Sequence, residues 1–441
     1  MHYLFKQWTA VFLFFIIFLN QVSAQEFNGL VQTALKNNEP LKSKNFQLES
    51  AQHQWQEAKS LYGPTLLFGV QYTVAAGGRS INLPIGDLLN PVYSSLNNLT
   101  QSNAFPMIDN VSEQFLPNNF YDARFRITQP IFYPDIAIQK KLKQESISLK
   151  EIEIKAFKRN ISKEVMMAYF MVETTIRVID IYQATDTLLM EARRVTQSLV
   201  RNGVALPTTL SRIETQQSVT NASKIEAEGN YKNATRYLEF IVGEEVYEKV
   251  FLPELPPLML NDVFIREEIL QIEQSSKMLD LAQSKEDKFY QPRIGAQLDL
   301  GSQDFNFGFE PYALLGLNVE FNLYDSKKHI HRKSSIEAEK IALVHQKSFI
   351  TDQIDLQKSM AEENLKTSVQ QALTYKTRVS AVDKIYKEVL AKYKEGTANY
   401  LELLDAQTQV TQIQLQYAVA RQKAWSKWAE FVYASASFPI Q

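Results

Sequence analysis

Two carboxylates, Glu402 and Asp405, are the residues of this sequence whose types and spacing suggest chemistry most directly. A separation of three residues places both side chains on one face of a helix. Two neighbouring carboxylates attract cations and repel anions. The alternative is a solvated first helical turn, because acidic side chains stabilise a helix N-terminus. Taken alone, these two residues favour the solvated turn.

The rest of the sequence offers little to a catalytic or metal centre. It contains no cysteine, which excludes disulfides, thiolate metal sites and cysteine nucleophiles. His329, His331 and His345 form the only histidine cluster, but their spacing and surroundings favour surface histidines over metal ligands. No phosphate-binding loop, nucleotide fingerprint or catalytic triad signature is present. We therefore predict no enzyme, no cofactor and no metal site, and the net charge of -2 gives no reason to expect nucleic acid.

The carboxylate pair belongs to a helical hairpin tip at Lys392 to Val410, which reads KYKEGTANYLELLDAQTQV. One helical pattern ends at Gly396, and a second begins at Tyr400. The same construction occurs at Arg201 to Gln216, which reads RNGVALPTTLSRIETQ. A chain built twice on one plan indicates an internal repeat.

The first residues have the pattern of a secretory signal peptide. Lys6 precedes an apolar run from Ala10 to Leu19, and small residues stand before Gln25. The run is too short for a membrane-spanning helix, which needs roughly 20 apolar residues. No later apolar stretch approaches its length, so we expect any membrane insertion of the mature chain to use strands.

Long helices account for most of the remaining chain. Asp135 to Arg201 contains neither Pro nor Gly and carries an apolar stripe at intervals of three or four residues. At 1.5 Å per residue, such a helix would extend roughly 100 Å. Its counterpart is predicted at Ser326 to Lys394. Shorter helices are predicted at Phe27 to Tyr62, Thr208 to Val242, Val263 to Phe289 and Tyr400 to Ala434.

Four segments alternate apolar with small or polar residues and are predicted strands, at about 64–75, 120–131, 292–302 and 312–324. Between the first two, Ala75 to Asn119 shows no periodicity and predicts a long structureless loop, which we place outside the cell. Four strands cannot close a lipid-facing sheet, whereas three chains would supply twelve, enough for an aqueous lumen. The alternatives are a small soluble β-domain on a helical stalk and a coiled-coil rod without a channel.

These elements give a signal peptide at residues 1–24, a first repeat at 25–257 and a second at 258–441. Each repeat contains a helix, two strands, a long helix and a return helix, with tips near 203 and 396. The predicted fold class is mainly α with a transmembrane β-barrel contribution. A trimer would combine an α-helical tunnel with a 12-stranded β-barrel.

The sequence resembles the TolC family of outer-membrane efflux channels. The resemblance is carried by residues 34–64, TQPIF at 128–132, GVALPTTL at 203–210 and YKEGTANYLELLDAQTQV at 393–410. It implies a homotrimer in the outer membrane that is a passive exit duct of a tripartite efflux or type I secretion system. Its partners would be a periplasmic adaptor, an inner-membrane pump and outer-membrane lipid. A periplasmic adaptor or coiled-coil scaffold protein is the alternative.

The resemblance also implies roles for single residues. Glu402 and Asp405 match the acidic pair of the periplasmic constriction, and Tyr393 matches a tyrosine that helps hold the tunnel shut. The adaptor would dock on the tips, at Gly203, Ala205, Leu206, Thr209, Gly396, Thr397 and Ala398. The sequence departs from the family pattern at Ala398 and Thr209, where an Arg and an Asp would tie neighbouring tips together. The bonds that close this entrance must therefore differ.

Overall fold

The computed structural model describes residues 28–246, 252–258 and 265–437 of the chain. The predicted signal peptide lies outside these residues. The helices are α1 (28–37), α2 (Glu39–Ser60), α3 (Ile85–Thr100), α4 (Pro134–Arg201), α5 (Pro207–Val242), α6 (Glu267–Asp287), α7 (Lys328–Lys394) and α8 (Tyr400–Ala434). The strands are β1 (Thr65–Thr73), β2 (Ser80–Leu83), β3 (Val111–Gln114), β4 (Phe120–Phe132), β5 (Arg293–Phe305) and β6 (Pro311–Glu320).

The fold is mainly helical, and the two predicted long helices are confirmed as α4 and α7. The prediction of one helix from Phe27 to Tyr62 is wrong, because the helix breaks at Asn38. Pro40 has no N–H to donate to the carbonyl of Lys36, so the helical hydrogen-bond pattern is interrupted here. The Asn38 side chain instead accepts the backbone N–H of Leu41 at 2.9 Å, as an N-cap does.

The chain forms two compact units, and each unit combines segments from both halves of the sequence. Among the described residues, the helical unit comprises those within 28–53, 144–280 and 337–437, and the strand unit comprises 54–143 and 281–336. None of the helices in the described ranges is long and apolar enough to cross a membrane.

The core of the helical unit forms along the apolar stripe of α4. Ile161, Val165, Tyr169 and Val172 follow the three- and four-residue spacing, and each is at most 2% exposed. Phe170 packs against Trp425 of α8 with ring centroids 5.4 Å apart. Burial of such side chains contributes roughly 1.5–3 kcal/mol each. The predicted stripe is therefore confirmed as the packing face of α4.

A buried arginine fastens the proline-rich segment 252–258 to α8. Arg421 is 3% exposed, and its Nη1 donates to the Glu173 carboxylate at 2.7 Å. Its other nitrogens donate to the carbonyl oxygens of Leu252 and Glu254, each at 2.8 Å. Charge-assisted bonds of this kind satisfy a guanidinium that burial would otherwise destabilise.

The strand unit contains an antiparallel sheet in the order β1-β4-β5-β6. Directly opposed residues share a face of the sheet. One such row crosses all four strands and contains Leu66, Ile127, Leu298 and Leu315. This apolar face is exposed, with Leu66 at 63% and Leu315 at 80%. The opposite face is polar.

Ion pairs and hydrogen bonds organise that polar face. Arg126 holds Asp299 with two hydrogen bonds of 2.8 Å, and Tyr312 donates to Asp122 at 2.9 Å. β4 continues through Pro130 to Phe132, one residue beyond the predicted end of this strand at about 131. The pairing of β4 with β5 shifts register between Pro130 and Phe132, as expected where a residue without an N–H interrupts the ladder.

The prediction of a structureless loop at Ala75 to Asn119 is wrong. The segment contains β2 paired with β3, and α3 between them. Asn90 and Asn97 of α3 each exchange two hydrogen bonds with the backbone of a following residue, Ile108 and Phe105 respectively, at 2.7–3.0 Å. These asparagine amides supply hydrogen-bond partners to the backbone that follows α3.

Candidate functional site

The two hairpin tips of the helical unit are built by the same hydrogen bonds. The N–H of Gly203 donates to Val200, and the next two N–H groups donate to the carbonyl of Leu199. At the second tip, Gly396 donates to Tyr393, and the next two N–H groups donate to Lys392. Gly203 and Gly396 have φ of 73° and 76°, a left-handed conformation that glycine adopts without a Cβ penalty.

The two tips meet in the structure. A Cβ added to Gly396 would lie 3.7 Å from Cγ1 of Val204 on the first hairpin. Val204 and Leu206 are 62% and 71% exposed. Of the other predicted tip residues, Ala205, Thr209 and Ala398 are half-buried, whereas Gly203 and Thr397 are exposed. The first tip therefore exposes two large apolar side chains to solvent.

Glu402 and Asp405 both lie exposed on α8. Their positions alternate with Leu403 and Ala406, which are buried at 0% and 5% exposure in the apolar cluster at the tips. Asn399 caps the helix by accepting the N–H of Glu402 at 3.0 Å and donating to its carboxylate at 2.9 Å. Asp405 accepts from Gln409 at 2.8 Å. Two negative charges therefore face away from the apolar cluster.

Tyr393 is the predicted site residue that the fold buries, at 3% exposure. Its hydroxyl lies 2.5 Å from Oγ1 of Thr196 on α4. Because Thr196 donates to the carbonyl of Ala192, the tyrosine is the donor in this bond. Burial raises the pKa of Tyr393. This bond joins the first hairpin to the second.

A second link between the hairpins uses residues that the sequence analysis did not select. Glu191 of α4 accepts from Lys394 of α7 at 2.9 Å and from Arg194 at 2.8 Å. Hydrogen bonds from Arg194 and Lys394 lower the pKa of Glu191 to about 2. The pair joins residues about 200 positions apart, so no local spacing could have identified it.

Ala398 and Thr209, where the sequence departs from the pattern of the TolC family, belong to these two hairpins. Ala398 has no polar side chain, and it packs against the apolar cluster of the tips. Within the described residues, the contacts between the hairpins include the Thr196 bond to Tyr393 and the Glu191 ion pair with Lys394. The structure thus shows hairpin contacts that need neither the Arg nor the Asp.

His329, the first histidine of the cluster noted in the sequence, contacts an aromatic ring and a carboxylate. His329 stacks on Phe289 with ring centroids 4.0 Å apart, and its Nδ1 lies 2.8 Å from Asp325. The described ranges contain no group of three His, Cys, Asp or Glu side chains that could hold a metal ion.

No family model and no characterised protein sequence matches the chain. Several solved structures, by contrast, match most of the chain. The outer-membrane channel OprN matches with a TM-score of 0.71 and 14% identity over 93% of this chain and 90% of OprN. The CmeC outer membrane channel of Campylobacter jejuni matches with a TM-score of 0.69 and 13% identity over 93% and 85%. The MtrE outer membrane channel of Neisseria gonorrhoeae matches with a TM-score of 0.70 and 13% identity over 93% and 89%.

The chain has the fold of these outer-membrane channels. The resemblance to the TolC family is confirmed at the level of the fold. At 12–14% identity the likeness extends to the arrangement of helices and strands, not to individual side chains. The roles of Glu402, Asp405 and Tyr393 therefore depend on the geometry described above.

Proposed function

We propose that this protein is an outer-membrane channel, the passive exit duct of a tripartite efflux or type I secretion system. The observation that carries the proposal is the exposed apolar face of the four-stranded sheet, in a chain with the fold of outer-membrane channels. Large exposed apolar patches mark contact with membranes or partners. The duct itself does no chemistry, and the energy comes from its partners.

The strand order supports closure by three copies. β1 and β6 are the edges of a sheet in which each neighbour is antiparallel. Four alternating strands leave β6 antiparallel to the β1 of a following copy. Three copies then give a closed barrel of twelve strands, which leaves no edge exposed to lipid. The two repeats, 25–257 and 258–441, each contribute two strands and one hairpin of the tunnel.

The hairpin tips form the periplasmic entrance in this proposal. Glu402 and Asp405 of three copies make two rings of carboxylates that favour cations. Tyr393 and its partner Thr196 hold the hairpins together in the closed state. The periplasmic adaptor docks on the exposed apolar surface of Val204 and Leu206, and an inner-membrane pump delivers the cargo.

Ion selectivity tests the constriction. We expect the double substitution Glu402→Ala and Asp405→Ala to lower the preference for K⁺ over Cl⁻ several-fold in planar bilayers, because six carboxylates leave the passage. The matched control is Asp352→Ala with Asp355→Ala, an exposed pair with the same spacing on α7, away from the tips. Unchanged selectivity in the first variant would refute the constriction.

Fractionation tests the channel itself. The wild-type chain should appear in the outer-membrane fraction as a trimer whose migration on a gel changes on heating. Recovery as a soluble monomer would refute the exit duct and favour a periplasmic scaffold.

A further inference from the structure

The strand unit contains a basic cavity of about 300 Å³ that the channel proposal does not use. It lies where α6 ends, β5 begins and α7 begins. Five basic side chains line it, Lys285, Lys288, Arg293, Lys328 and Arg332, against three acidic ones. The lining therefore carries a net charge of +2, since five positive groups face three negative groups.

The three acids are already engaged. Asp135 is bound by Arg293. Glu286 accepts from Arg332 at 3.0 Å. Asp325 lies 3.6 Å from the same arginine and also accepts the backbone N–H of His329 at 2.8 Å. All three carboxylates of the lining are thus paired with one of two arginines, Arg293 or Arg332.

The three lysines keep their charge uncompensated. Among the described residues, the ammonium groups of Lys285, Lys288 and Lys328 have no carboxylate within 4.0 Å and no side-chain hydrogen bond. Like charges around one cavity repel each other. An anion between them would relieve this repulsion and accept up to three charge-assisted hydrogen bonds.

The position of the cavity favours an anion dissolved in water over a phospholipid headgroup. Arg293 alternates with Ile294 along β5, so it belongs to the polar face that carries Asp299, not to the exposed apolar face. An anion that reaches the cavity from the polar face comes from water. A phospholipid headgroup would approach from the apolar side of the sheet.

We propose that this cavity binds a multivalent oxyanion, such as the phosphate group of a dissolved solute, with Lys285, Lys288 and Lys328 as donors. The binding itself does not depend on the channel, whereas the choice of a dissolved anion over a lipid headgroup rests on the proposed function. The consequence of binding for transport, that anionic solutes are held at one level of the duct, also rests on the proposed function.

Titration calorimetry of the full chain in a non-ionic detergent tests the proposal, with inorganic pyrophosphate as the probe. The variant is Lys285→Gln, Lys288→Gln and Lys328→Gln. The control, Lys141→Gln, Lys384→Gln and Lys387→Gln, removes the same charge from exposed lysines outside the cavity. We expect the Kd for pyrophosphate to rise at least about tenfold in the variant, because three charge-assisted bonds are lost. The control should stay within about twofold of wild type.

A phosphorus assay of the purified protein distinguishes a bound phospholipid headgroup from a dissolved phosphate. The phosphorus content of purified protein should be the same in wild type, variant and control. Phosphorus lost only from the cavity variant, without pyrophosphate binding by wild type, would overturn the proposal in favour of a lipid headgroup. Equal pyrophosphate binding by variant and wild type, or none by either, would also overturn it. Trimer formation on a gel, measured in the same samples, shows separately whether the channel proposal stands.

Discussion

Three buried tyrosines lie together at the hairpin tips, and they differ in how their hydroxyl groups are satisfied. Tyr393 donates to Thr196, whereas the hydroxyls of Tyr386 and Tyr400 have no partner among the described residues. Burial raises the pKa of Tyr386 to about 12 and raises that of Tyr400 as well. All three are therefore neutral at physiological pH, and only Tyr393 links the two hairpins by a hydrogen bond.

This difference predicts unequal effects of removing the hydroxyls. Tyr393→Phe should destabilise the closed tips by about 1 kcal/mol, the typical net contribution of a neutral hydrogen bond. We expect a several-fold higher open probability in single-channel recordings. Tyr386→Phe is the matched control, because its hydroxyl has no partner to lose. Equal recordings from the two variants would show that the bond to Thr196 does not hold the tips together.

Glu191 makes the contact between the hairpins depend on pH. Its pKa falls from an ordinary value of 4.5 to about 2 through Arg194 and Lys394. A lowered pKa means that the stabilisation is present above pH 4.5 and is lost as the pH falls towards 2. As a partly exposed pair, it contributes a few tenths to about 1 kcal/mol.

We therefore expect the melting temperature of wild type to fall between pH 4.5 and 2.5 more steeply than that of Glu191→Gln. The control Glu388→Gln removes an exposed acid of α7 that has no ion pair in the described residues. It should retain the wild-type pH profile. Parallel profiles for wild type and Glu191→Gln would contradict the assigned role of this ion pair.

At the scale of elements, the tips depend on backbone geometry that few residues can adopt. Gly396 has φ of 76°, and a Cβ there would make only an ordinary contact with Val204 at 3.7 Å. Any cost of a side chain at this position is therefore conformational. The hairpin between α7 and α8 requires a residue without a Cβ penalty at this point.

Gly396→Ala should accordingly destabilise the protein by roughly 1–2 kcal/mol, the cost of a left-handed conformation for alanine. Gly229 is a control of opposite sign, because it lies inside α5 with nothing within 4 Å of a Cβ. Gly229→Ala should stabilise by up to about 1 kcal/mol through helix propensity. Melting temperatures in detergent measure both effects, and a stable Gly396→Ala variant would show that the tip can adopt another turn.

At the scale of the whole molecule, the proposed assembly of three copies depends on the two edges of the sheet. The apolar face reaches both edges, with Phe68 and Val70 on β1 and Leu317 on β6 exposed at 62%, 61% and 66%. The proposed barrel places β6 of one copy beside β1 of the next. The absence of cysteine makes this arrangement directly testable with introduced thiols.

We expect Leu317→Cys, combined with Leu66→Cys, Phe68→Cys or Val70→Cys, to give covalent dimers and trimers with a short bismaleimide. At least one pair should react, because these β1 residues share a face and adjacent strands lie about 5 Å apart. Phe125→Cys with Leu317→Cys is the control, since β4 is paired on both sides within one chain. Monomers from every β1 and β6 pair would refute closure through these edges.

The sequence by itself determined the long helices α4 and α7, the alternation of the strands and the two glycine turns. Each is set by neighbours within a few residues, so periodicity and a single glycine reveal it. The prediction of a loop at Ala75 to Asn119 overlooked such a pattern in residues 85–100. Apolar residues recur there at helical spacing, at Ile85, Leu88, Leu89, Val92, Leu96 and Leu99.

Only the tertiary structure decided which side chains meet. Thr196 contacts Tyr393, and Glu191 contacts Lys394, across about 200 residues of sequence. Such pairs depend on the register between α4 and α7, which a shift of one helical turn would change without altering either helix. The basic cavity likewise brings together ends of α6, β5 and α7 that local spacing does not relate. Helices and strands follow from local periodicity, whereas the contacts between them follow from packing, which no short stretch of sequence contains.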